Sequence, residues 1–178
     1  MFDYEKLMSE VPGVYAYGLI ESKDLVFLEE VREICKGNSC RKYGTTWACP
    51  PAVGTFEECK AEAMQYKKGL MFNCKYDIRS PFDWKGMMAG MAQFKEVCAE
   101  LGEKVKDYLD DFLFLDAEGC DICEECTYPD APCRFPDKMH SSIEGYGMYV
   151  SPMAKKAGIK YDNGEGTVTY LGLILFND

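Results

Sequence analysis

From position 84 to position 109, apolar side chains return every three or four residues: Trp84, Met87, Met88, Met91, Phe94, Val97, Cys98, Leu101, Val105, Tyr108 and Leu109. That single stripe predicts a helix of about seven turns. Ser80 suits its cap, Pro81 its first position and Asp83 its third, which puts the predicted start near residue 81. The methionines on the stripe read as pliant core filler, and Cys98 as a buried thiol. Gly86 and Gly90 read as a place where the helix packs closely against a neighbour. Other segments read as strands. Residues 14–20 are rich in β-branched and aromatic side chains after the Pro12-Gly13 turn, and residues 70–78 and 112–115 follow suit. Cys74 falls inside the second of these and reads as a small core residue. Residues 167–176 form a last strand, nearly all apolar from Leu171, as expected of a strand covered on both faces.

Shorter helices fill the gaps. Residues 27–35 place Leu28, Val31 and Ile34 on one face. Thr55 can cap a helix with Glu57 and Glu58 in its first turn, ending near residue 68. Ser141 and Glu144 match a capping box for a helix carrying Ile143, Tyr146 and Val150. Ser151-Pro152 opens another that Gly158 can stop. The alternation predicts one α/β domain over residues 1–178: a mixed sheet of about four strands, flanking helices and cysteine-rich metal-binding loops.

Charge narrows the partners. Thirty acidic residues against twenty basic ones leave a formal charge of −10, and no Lys/Arg cluster stands out. Nucleic acid is therefore not an expected partner, since phosphate binding needs a basic face. The acidity is compatible with docking a redox partner protein, and equally with an ordinary solvated surface. The longest aliphatic run, residues 171–176, is too short to cross a bilayer, and the start MFDYEKLMSEVPG lacks the basic-then-apolar order of a secretory signal. A cytoplasmic protein is expected. In that compartment ten cysteines point to metal or redox chemistry rather than disulfides.

Four of them crowd into the run GCDICEECTYPDAPCRFP: Cys120, Cys123, Cys126 and Cys133. A tetrahedral zinc is usually gripped by two separated knuckles. Three thiolates on one tight loop with a more distant fourth suit a 4Fe–4S cubane better, because each sulfur must reach a different iron. Zinc remains the alternative. Arg134, beside Cys133, can offset cluster charge, while Glu124 and Glu125 oppose it. Upstream, Cys35, Cys40, Cys49 and Cys59 have no common spacing, yet Gly37 and Gly44 let the backbone turn amides toward sulfur, and Tyr43 and Trp47 can shield a cluster. These four are expected to form a second site close to the first. His140 is the only histidine, which excludes hydrolase triads and multi-histidine metal sites; in its polar surroundings it reads as exposed.

Three elements together resemble a prokaryotic family described as predicted metal-binding proteins: CRKYGTTWACPP from Cys40 to Pro51, the run CDICEECTYPDAPCRFP, and SSIEGYGMYV after it. In the last, Ile143 and Gly145 replace the methionine and alanine of the family's SMEAYG-type sequence. The resemblance implies metal binding and an association with anaerobes and with redox or corrinoid-methyl chemistry, but no particular reaction. Three function classes follow: an electron-transfer or redox accessory iron–sulfur protein, a structural or regulatory zinc protein acting through a partner, and an enzyme with a substrate on an open cluster iron. The third requires a cluster with only three protein ligands, which nothing in the sequence demands.

Overall fold

A computed structural model describes residues 1–178. Two ten-residue strands, β2 (Lys68–Asp77) and β5 (Thr167–Phe176), pair antiparallel from Lys68↔Phe176 to Asp77↔Thr167. β1 (Ala16–Glu21) pairs with β2 and β3 (Phe112–Asp116) with β5, both antiparallel. A two-residue strand, β4 (Ser141–Ser142), runs parallel to β3 at the far edge, so the order is β1-β2-β5-β3-β4. The mixed α/β sheet is as expected, with five strands in place of about four. The fifth lies where a helix start was expected. Ser141 and Ser142 pair with Leu115 and Asp116, and only a short 3-10 turn, Glu144–Tyr146, follows. Ser142 still acts as a local acceptor, with its Oγ taking the Gly145 N–H at 2.9 Å.

Alternate residues of the central strands face opposite layers. Leu70, Phe72, Cys74, Phe114, Ile174 and Phe176 pack against α1 (Tyr4–Ser9) and α4 (Trp84–Lys104). Met71, Leu115, Leu171, Leu173 and Leu175 pack against α3 (Phe56–Ala63) and α5 (Val150–Lys156). Cys74 and Cys98 are buried on the first side, as their positions in the pattern predict. α1 was not anticipated; Asp3 caps it by accepting the Lys6 N–H at 3.0 Å. Thr55 caps α3 as expected, and Glu58 reaches back to the Thr55 N–H, so the two form a reciprocal capping box. α4 begins at Trp84 rather than near residue 81, because Asp83 is the cap: its carboxylate accepts the Gly86 N–H at 3.1 Å, leaving Ser80 and Pro81 in the preceding turn. Gly90 lies flush on the Tyr76 ring, which a Cβ would meet at 3.1 Å. No helix is long and apolar enough to cross a membrane.

Two departures bear on function. α2 (Glu29–Lys36) buries none of its residues, so the apolar face expected from Leu28, Val31 and Ile34 does not join the core; Ile34 is 70% exposed. And His140 is not an exposed surface residue. Its ring stacks on Phe114 at 4.2 Å, with Nδ1 4.0 Å from Asp116 Oδ2, in space left by Gly102, whose Cβ would come within 2.7 Å of it. Asp116 in turn holds Lys95, from the buried stripe of α4, at 2.9 Å. Burial, then the charge of Lys95, pulls the His140 imidazole down to about 4.

Two outcomes follow from this packing. A Cβ on Gly18 of β1 would sit 1.8 Å from the Ala157 carbonyl at the end of α5, so Gly18→Ala should lower unfolding free energy by at least about 2 kcal/mol in denaturant titrations. The His140 pKa is depressed in the fold, so the folded state binds fewer protons than the unfolded one between pH ~4 and ~6.5. Its contribution is full above that window and lost as pH falls through it. Relative to His140→Gln, the parent should lose about 3 kcal/mol more between pH ~6.5 and ~4, measured by unfolding at each pH.

Candidate metal centre

The chain leaves β3 at Asp116 and passes Glu118, a non-glycine residue at φ 59°, before entering the cysteine run. Cys120, Cys123, Cys126 and Cys133 are half-buried and line one small cavity, with Trp47, Ile122, Phe135 and Met139. Thr127 Oγ1 donates to the Pro132 carbonyl at 2.9 Å and closes the turn between Cys126 and Cys133. Arg134 Nη1 donates to the Glu125 carbonyl at 2.8 Å and ties the end of the run back to its middle. Trp47 reaches in from the upstream loop. Its indole N–H donates to the Ala131 carbonyl at 3.0 Å, and its ring meets Tyr128 edge-on at 4.9 Å. Trp47 was expected to shield the upstream cysteines; it walls the downstream ones instead.

Of the upstream group, Cys35 at the end of α2, Cys40 in the loop and Cys49 beyond it line a second, larger cavity of about 480 Å³. Asn38 and Arg41 flank Cys40 at φ 56° and 60°, in the left-handed region that side chains rarely adopt. Cys59 is not with them. It lies on α3 in the hydrophobic core, fully buried, with its thiol donating to the Val53 carbonyl and accepting from Arg32 Nη1, both at 3.5 Å. The same guanidinium donates to the carbonyls of Gly54 at 2.7 Å and Gly145 at 3.0 Å. Arg32 thereby ties α2, which has no core of its own, to α3 and to the turn after β4.

The two cavities adjoin where Gly119, on the larger, precedes Cys120, on the smaller. A Cβ on Gly119, beside Cys120, would lie 2.9 Å from Cys49 Sγ and 2.8 Å from Lys42 Cγ. Lys42 Nζ donates to the Cys120 carbonyl at 3.4 Å. The absence of a side chain at position 119 is what lets the two cysteine loops touch.

Burial pushes the Cys35, Cys49 and Cys120 thiols above the ordinary thiol range, so these are neutral thiols in the metal-free fold. A metal taking them as thiolates would release their protons. Burial likewise drives Cys74 up to about 12, as suits an inert core thiol. No group of three or more His, Cys, Asp or Glu side chains is arranged to hold a metal ion. The donor set around the small cavity is nonetheless all thiol, which fits soft metals and iron–sulfur chemistry.

Sequence reasoning missed Glu144, Tyr149, Tyr161 and Tyr170, which line the larger cavity from four separate segments. It also missed the Lys95–Asp116 pair. A lysine between Met91 and Cys98 on a buried stripe was the available signal, because a core lysine needs an acid beside it. Removing Arg32 strips three acceptors at once, so Arg32→Ala should destabilise the chain by about 3 kcal/mol in thermal or denaturant unfolding, and Arg32→Lys should recover only part of it.

No curated protein and no solved structure matches the chain. One family model does, over residues 18–176, from β1 to the last residue of β5 and through both cysteine loops. Its description is "Predicted metal-binding protein (DUF2284)", and the chain belongs to that family.

Proposed function

We propose that this is an iron–sulfur protein that holds a 4Fe–4S cluster on Cys120, Cys123, Cys126 and Cys133 and exchanges single electrons with a redox partner protein. The observation that carries the reading is that all four thiols face one small cavity walled by apolar side chains. A single tetrahedral zinc draws its sulfurs around one point at about 2.3 Å. A cubane meets its thiolates at four separate corners, which suits three thiolates on one tight loop with a more distant fourth.

A bound cluster would supply reversible one-electron transfer. The chain's residues govern how that charge is accommodated. Trp47 and Met139 keep water from the cavity wall, and Arg134 brings a positive charge beside Cys133 while fastened to the Glu125 carbonyl. The exposed carboxylates of Glu124 and Glu125 oppose added negative charge and hold the potential down. Ile122 and Phe135, each 43% exposed at the rim, offer an apolar contact point for a partner.

Anaerobic purification with iron, zinc and sulfide quantified on one sample tests the reading. About four irons and as many sulfides should be bound at this site, and Cys123→Ser should lose them. One zinc per chain without sulfide would support the structural zinc class instead. Unchanged metal content in Cys123→Ser would overturn the ligand assignment.

A further inference from the structure

We infer that Cys35, Cys40 and Cys49 hold a second cluster by three thiolates only, and that its remaining iron opens into the 480 Å³ cavity they line, where it takes an uncharged or cationic organic molecule bearing a nitrogen or sulfur donor. The inference rests on the iron–sulfur reading above, and it adds a ligand-binding site to an electron carrier.

Cys59 is the only further cysteine of the upstream loop and helix, and it is withheld. Its sulfur is buried in the core between the Val53 carbonyl and Arg32, and it does not line the cavity. A cluster on the other three thiols therefore has one iron without a protein thiolate. The cavity that these three line falls within the roughly 300–1,000 Å³ typical of small-molecule pockets.

The walls say what would fit. Val31 and Ile34 of α2 line the cavity, which accounts for an apolar helix face that finds no core. Tyr43, Tyr161 and Tyr170 add aromatic surface and hydroxyls. The charged residues on the wall are Glu118 and Glu144; no Lys, Arg or His lines it. The exposed Glu118 and a cluster on three thiolates repel phosphates and carboxylates. Glu144, whose carboxyl burial pushes up, adds a hydrogen-bonding group, so the wall suits a hydrogen-bond donor or a positive charge. Glu118 sits at φ 59°, a conformation that costs energy and recurs at ligand sites.

The test uses the full chain, reconstituted without air with iron-57 and sulfide, and imidazole as the probe. Wild type should carry about eight irons. Cys59→Ala should keep them all, while Cys49→Ser should lose about half. Imidazole should alter the Mössbauer parameters of about one iron in eight, in wild type and in Cys59→Ala alike. If folded Cys59→Ala loses as much iron as Cys49→Ser, Cys59 is the fourth ligand and the inference fails. If imidazole changes no iron environment in wild type, it fails whether or not Cys59→Ala folds. If only about four irons bind, and Cys49→Ser keeps them, the inference fails while the iron–sulfur reading stands. A chain that takes up no iron and sulfide at all overturns both.

Discussion

Strands β2 and β5 pair along all ten residues of each, and through residues 69–74 and 171–176 both are buried without interruption. A strand pair that is apolar on both faces must be covered on both. α4 and α1 do this on one side, and α3, α5 and the turn after β4 on the other. Each fully buried leucine or phenylalanine in these layers contributes roughly 1.5–3 kcal/mol. Register is held as well as burial. Phe72 lies opposite Gly172, where a Cβ would come within 2.2 Å of its ring, so a slip of one residue would drive the ring into a side chain.

The cysteine loops depend on this frame because they have little structure of their own. One begins where β3 ends and closes where β4 re-enters the sheet beside it. The other runs from the end of α2 to the capped start of α3, and Arg32 fastens both ends of that path to the turn at Gly145. Gly119 brings the two into contact at Cys49. A charge-bearing group in either loop would therefore sit beside the other, with the Gly119 backbone and the Lys42 side chain at the contact.

Beneath the departure point of the downstream loop lies the Lys95–Asp116 pair, in a cavity of about 290 Å³ that also reaches Cys120 and His140. Burying two charges is costly, and replacement by apolar residues often stabilises a protein. Here Asp116 is the last residue of β3, and its Oδ1 has no protein partner. The pair pins the strand end to α4 at the place where the cysteine run must be aimed. Burial raises the Asp116 carboxyl, and Lys95 opposes that rise, so the ion pair survives only while the two stay together.

By itself the sequence determined the layers. The stripe of α4 from Met91 to Leu101, the apolar run of β5 and the Thr55 cap follow from local chemistry and stand where the pattern predicts. Trp84 and Met88 are exposed, however, and the helix ends at Lys104 rather than near Leu109. Overlapping CxxC steps likewise hold Cys120, Cys123 and Cys126 together through chain length alone. Only the tertiary structure decided the rest. Ser141 and Glu144 carry the letters of a capping box, but backbone pairing with β3 outcompetes the helix there. Ile34 has the spacing of a core residue, but it lines the large cavity and stays exposed, because α2 packs on the turn Glu144–Tyr146 rather than on either core layer. Cys59 sits ten residues from Cys49 in the chain, yet helix geometry turns its thiol into the core and away from the cavity shared by Cys35, Cys40 and Cys49. Local patterns report the periodicity of one segment; which segment arrives opposite it is set by contacts distant in sequence, and those the pattern does not carry.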